Sequence, residues 1–139
     1  MKLQNLSTVS STFPATLVEY EDLLTLRYRL RGRVTDGTVD CVGIVLEIYR
    51  RAGLGLPDPW TSGCQAIEFS ECFEAISAPD HLFDVIRCIG RTQDGIMVVV
   101  RDGIALTSRE KIGVHAVTVK ALLNLPRIEY YRVRSDCLP

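Results

Sequence analysis

The stretch Thr35-Asp-Gly-Thr-Val-Asp-Cys-Val-Gly-Ile-Val-Leu-Glu-Ile-Tyr-Arg-Arg-Ala-Gly-Leu-Gly-Leu-Pro57 decides the reading of this chain. It sets Cys41 directly after Asp40, at the head of an apolar run that stops at Gly53. An aspartate before such a run is a preferred helix N-cap, and a glycine just past it is a preferred stop. The spacing therefore predicts a helix from Cys41 to about Ala52. Val42, Ile44, Val45, Leu46, Ile48 and Tyr49 cover most of its circumference, the pattern of a core helix. A thiol in the first turn of a helix lies where free amides and the positive dipole end favour thiolate. Thiolate is the species that attacks carbonyls, so Cys41 is a candidate nucleophile. Read as structure alone, it is a small buried hydrophobe.

Upstream, Leu17, Tyr20, Leu23, Leu24 and Leu26 recur near helical spacing and predict a first helix over Ala15–Leu26. Residues 1–13 are Ser/Thr-rich and read as a flexible arm before a single domain over 14–139. Gly32–Thr38 is a loop with Asp36-Gly37 as its turn. Downstream, Leu56–Trp60 is a loop, and Ser62 is expected to cap a third helix reaching about Ile76. After Pro79 the texture turns to strands: Leu82–Ile89, Gly95–Arg101, Ile104–Thr107, Val114–Val119 and Ile128–Val133, with Asp102-Gly103 as a hairpin turn. Helices first and strands afterwards predict an α+β fold, a short antiparallel sheet packed on a central helix.

The chain of 139 residues carries 16 basic and 17 acidic side chains, for a net charge of -1. That balance gives no global field toward nucleic acid. Four arginines crowd Arg27–Arg33, but no second basic cluster accompanies them, so they read as a solvated strip. No run reaches the roughly 20 apolar residues of a membrane span, and the N-terminus lacks the apolar core of a signal peptide. Synthesis in the cytoplasm is the expectation. Cysteines at 41, 64, 72, 88 and 137 are odd in number and lack metal-ligand spacing, which predicts reduced thiols, no metal and no cofactor. Cys64, Cys72 and Cys88 are expected in the core.

The layout resembles the NlpC/P60 family of papain-like cell-wall cysteine peptidases. The likeness rests on Tyr28, Gly32, Asp36-Gly37 and Asp40-Cys41-Val42-Gly43, then Ala52-Gly53 and Leu56-Pro57 after the helix. It continues through Leu82–Arg87 and the hairpin Gly95–Thr107. Gly113–Val119 and Ile128–Val133 are similar to members found in phage tails, and the resemblance spans about residues 16 to 133. It implies a papain-like α+β fold with the Cys-bearing helix against a C-terminal antiparallel sheet. It also implies a thiolate that attacks an amide in peptidoglycan peptides, forming an acyl-enzyme that water releases. Tyr28 would hold an oxyanion or orient substrate. Partners would be a peptidoglycan peptide or other proteins of a tail-like particle.

One departure stands out. The family's general-base histidine opens the first arm of the hairpin, and here that place falls on Gln93, Asp94 or Gly95. None of them matches an imidazole near neutral pH. The third polar residue falls near Thr107. The nucleophile is kept and the base is missing, which implies an impaired or inactive relative kept as a structural or peptide-binding module. The alternative is an active endopeptidase or amidase with a displaced base, His115 or His81. His115 lies 74 residues after Cys41, against the roughly 50 the resemblance implies, and otherwise reads as a strand histidine. His81, beside Pro79-Asp80, reads as a turn residue. A third possibility is an acyl-transfer enzyme with an apolar groove. Asp40 and Trp60 are candidate substrate contacts, with helix capping and cover of the core edge as their plain structural readings. Gly43 is expected to allow close packing at the helix start.

Overall fold

The computed structural model describes residues 17–56, 72–90 and 95–134. The arm expected over residues 1–13, and with it Trp60, Ser62 and Cys64, lies outside them. In chain order the elements are β1 (Arg27–Tyr28), β2 (Thr38–Val39), α1 (Cys41–Arg51), β3 (Phe73–Ile76), β4 (Val85–Cys88), β5 (Gly95–Arg101), β6 (Ile104–Arg109), β7 (Gly113–Thr118), α2 (Val119–Leu122) and β8 (Ile128–Val133). Short 3-10 helices occupy Glu21–Thr25 and Val34–Asp36. The fold is mixed α and β: a six-stranded antiparallel sheet, ordered β3-β8-β4-β5-β6-β7, with α1 on one face.

The helix begins and ends as its sequence predicts. Asp40 caps it through a side-chain oxygen that accepts from the Gly43 amide at 2.7 Å, and Gly53 past its end adopts a left-handed φ of 97°. Ile44, Val45, Ile48 and Tyr49 are fully buried. Glu47 pairs with Arg50 and Arg51 on the outer side, and Arg51 also reaches Asp22 at 2.7 Å. The two faces of the sheet separate by strict alternation. Val85, Ile96, Val98, Val100, Leu106 and Val114 pack with α1. Ile86, Met97, Val99 and Ala105 form a second core on the opposite face, under Val119 and Leu122 of α2.

The hairpin β5–β6 turns at Asp102-Gly103, where Gly103 has φ 75°. A bulge between Val99 and Arg101 adds one residue to its first arm. The return arm runs to Arg109, two residues beyond the expectation, because β7 pairs along it to Gly113. The closing strand Ile128–Val133 has the predicted bounds. It does not sit at the edge of the sheet but inserts between β3 and β4.

The first predicted helix is corrected, and so is the third over its described C-terminal end; residues 57–71 lie outside the described residues. Ala15–Leu26 contains only the 3-10 turn Glu21–Thr25 among its described residues. Just beyond it the backbone is drawn into pairing: the Leu26 carbonyl accepts from the Val114 amide at 3.1 Å, and Arg27–Tyr28 pair with Thr38–Val39. Leu17 and Leu24 stay exposed, so the apolar spacing there does not mark one buried face. The third helix, expected to reach Ile76, gives way to β3 at its C-terminal end, where Phe73–Ile76 pair antiparallel with Tyr130–Val133. Phe73 meets the Tyr49 ring edge-on at 5.8 Å. The strand expected from Leu82 begins only at Val85, since Phe83 has φ 72° and its carbonyl accepts from the Tyr49 hydroxyl.

Candidate functional site

Cys41 opens α1 and sits half-buried against the core, next to the start of β5. Its thiol titrates at about 11, above the ordinary 9.0. Burial is the largest cause, and the Asp40 carboxylate adds to it. The Ile96 backbone amide beside the sulfur favours the thiolate, but does not overcome burial. The amides of the helix start do favour the thiolate, as expected, but burial is the larger influence on this thiol. Desolvation of a half-buried sulfur next to a carboxylate outweighs the amides of the first turn.

Asp40 is 2% exposed and fully engaged. Oδ1 accepts from the Gly43 amide and from Arg33 Nη1 at 2.9 Å, and Oδ2 accepts from the Arg31 amide at 2.8 Å. It knots the preceding loop to the helix, so its capping reading stands, and at 2% exposed it offers little surface to a substrate. Arg33 accordingly leaves the solvated strip, while Arg27, Arg29 and Arg31 remain exposed. Gly43 lies in the same knot. A Cβ there would fall 2.5 Å from Val39 Cγ2 and 2.9 Å from the Gly32 carbonyl oxygen, so close packing does require the glycine.

A cleft of about 590 Å³ runs past this end of the sheet, and its walls include Tyr28, Cys41, Thr107 and His115. Sharing a cleft does not bring the two candidate catalytic groups face to face. The Ser108 hydroxyl donates to the Val39 carbonyl at 2.7 Å, so Ser108 points to the side of α1. Its neighbour Thr107 therefore points to the other side. Thr107 is the register partner of His115, which places the imidazole on the face away from the Cys41 helix. The cleft lining includes both groups, together with Gly95 at the start of β5. His115 Nδ1 lies 2.9 Å from the Gly113 carbonyl, which can only accept, so the neutral ring carries its proton there and leaves Nε2 as an acceptor. The Thr107 hydroxyl donates to the Ile96 carbonyl at 2.8 Å and is buried. Among the described residues, Ile96, Ser108 and Val114 face α1 at this end, and none of these three is a base.

His81 is farther still. It lines a different cleft, of about 510 Å³, together with Val99, Arg101 and Gly103 at the turn end of β5. Ile96 and Arg101 are five residues apart, or roughly 17 Å along an extended strand. His81 Nδ1 contacts Asp80 at 2.7 Å, and its amide donates to Asp84 at 2.9 Å. Asp80, His81 and Asp84 bring ligand-type atoms within 4.8 Å of one another, a grouping that the sequence reading missed. The i, i+1, i+4 spacing was visible in the sequence, but only the left-handed turn at Phe83 gathers it. One guanidinium serves both carboxylates: Arg132 reaches Asp84 through Nε at 2.8 Å and Nη2 at 2.9 Å, and Asp80 at 2.7 Å. Burial nonetheless raises the Asp84 carboxyl above its usual range, against the pull of Arg132.

Cys72 and Cys88 are half-buried, Cys72 against the α1 core and Cys88 against the core on the opposite face, rather than fully inside as expected. No helix among the described residues is long and apolar enough to cross a membrane. No protein-family model matches the chain, and no curated protein is significantly similar to it.

Proposed function

We propose that this chain is an NlpC/P60-like, papain-like domain related to peptidoglycan endopeptidases, catalytically impaired or inactive and serving as a structural or peptide-binding module. The motif Asp40-Cys41-Val42-Gly43 at the start of a buried helix against an antiparallel sheet supports the kinship. The observation that carries the loss of activity is the setting of Cys41. Burial pushes its thiol up to about 11, and among the described residues Ile96, Ser108 and Val114, which face it from the sheet, supply no general base. Assembly into a phage tail or tail-like particle after synthesis in the cytoplasm completes the proposal and rests on the resemblance alone. Its partners there are neighbouring particle proteins or peptidoglycan peptides.

The rival reading, an active endopeptidase or amidase, draws on one observation: His115 lines the same cleft as Cys41. To serve as base the ring would have to reach around the strand ends from the opposite face. One assay separates the two. Soluble peptidoglycan fragments are incubated with the parent chain, Cys41→Ala and His115→Ala, and newly released amines are counted. The expected result is no release above the Cys41→Ala background from any of the three. Release that requires both Cys41 and His115 overturns the proposal in favour of the rival.

A further inference from the structure

The cleft continues onto the face of the sheet away from α1, and there its groups form a pattern that the Cys41 chemistry does not use. Gly95 pairs with Cys88 on β4, and alternation sets both on the face of Met97 and Thr107. A Cβ on Gly95 would meet nothing within 4 Å among the described residues, so the missing side chain leaves a notch at the strand end. Arg109 lies on the other flank of the notch, near enough to Cys88 to favour its thiolate, although burial raises that thiol overall. Arg109 and Lys111 both line the cleft and are exposed, with the carboxylate of Glu110 between them in the chain, and neither cation has an ion pair among the described residues. Behind the notch, Met97, Val117, Leu122 and Leu125 supply apolar wall. His115 Nε2 stands beside them as a hydrogen-bond acceptor.

A notch beside exposed cations, an apolar wall behind it and a fixed acceptor at the side fit a ligand with three parts. These are an anionic end, a short apolar body, and an N–H donor next to that body. We propose that this face of the cleft binds the C-terminal residue of a peptide, with its free carboxylate at the Gly95 notch toward Arg109 and Lys111, its apolar side chain against Leu122 and Leu125, and its amide N–H toward His115 Nε2. A simple fatty acid satisfies the first two parts but leaves the imidazole facing hydrocarbon without a partner, which costs free energy. The volume of about 590 Å³ is in the range of small-ligand clefts. The inference deepens the reading of the chain as a peptide-binding module and rests on it.

The test uses the full chain and N-acetyl-Ala-Leu as its free acid and as its C-terminal amide, titrated by calorimetry. The acid should bind saturably and about fivefold or more tighter than the amide, with the difference shrinking as salt is added. Arg109→Gln should erase that difference. Gly95→Val, which fills the notch without altering charge at a position open to a side chain, should abolish binding of both while leaving the melting temperature near that of the parent. Equal affinity for acid and amide, undiminished binding by Gly95→Val, or tighter binding of decanoate than of the dipeptide acid would each overturn the assignment. Failure here is separable from failure of the proposed function. Cys41-dependent hydrolysis would refute the inactive reading and leave this site standing, whereas equal binding of acid and amide would refute this site and leave Cys41 inert.

Discussion

Alkylation of Cys41 against pH probes the central claim most directly. An ordinary cysteine titrates near 9.0 and Cys41 at about 11. Well below both values the folded chain holds about one hundredth of the thiolate that an ordinary cysteine would hold. A more basic thiolate is also a better nucleophile, with a Brønsted slope of about 0.4–0.5, which restores roughly tenfold. The net expectation is that iodoacetamide labels Cys41 roughly tenfold more slowly in the folded chain than in the same chain unfolded in urea. The deficit should persist from pH 6 to 8 and close only as pH rises toward about 11. Partial burial of the sulfur slows access further, so tenfold is a lower bound on the effect. The readout is peptide-mapped mass spectrometry at short labelling times, with Cys72 and Cys88 as internal comparisons. Labelling of folded Cys41 that is faster than in the unfolded chain near pH 6.5 would refute the reasoning. It would require a cation, such as an imidazolium, beside the sulfur, and would place a base where Ile96, Ser108 and Val114 now stand.

Other consequences follow from the packing. Gly43→Ala should lower stability by about 1–3 kcal/mol although alanine favours helices, because its Cβ would press on Val39 and on the Gly32 carbonyl; Gly43→Leu should cost more. A melting temperature for Gly43→Ala equal to that of the parent would contradict the knot described around Asp40. Arg132→Met should destabilise by about 3–5 kcal/mol at pH 7, since it leaves the Asp84 carboxylate buried without its partner. The sign with pH is fixed. Burial already raises the Asp84 carboxyl, and removing the guanidinium raises it further. A group with a raised folded pKa contributes its stability below its unfolded value and loses it as pH rises. The variant's deficit should therefore be smaller near pH 4 than near pH 8, which thermal melts at the two pH values would check.

The legible parts of this protein were the local ones. Asp40 before an apolar run and Gly53 after it mark a helix through caps that act within a few residues. Alternation around Asp102-Gly103 marks a hairpin in the same way, and the bounds of Gly95–Arg101 and Ile128–Val133 followed from it. The segments before Leu26 and up to Ile76 misled because their apolar spacing suits a helix only if nothing else claims the backbone. Val114 and the closing strand both claim it. The Asp80, His81 and Asp84 grouping was hidden for a related reason: its partner Arg132 is 48 residues beyond Asp84.

The sequence by itself determined that a cysteine heads a buried helix, that an antiparallel sheet follows, and that no histidine occupies residues 93 to 95. Only the tertiary structure decided what those facts mean together. Whether His115 can serve Cys41 depends on which face of the sheet it takes, and that is set by its pairing with Thr107 and by the Ser108 contact to Val39. Whether Cys41 is a thiolate depends on how much water the sheet and Asp40 leave around its sulfur. Both are sums over neighbours distant in sequence. A one-residue change of register reverses the first, and no local pattern encodes the second.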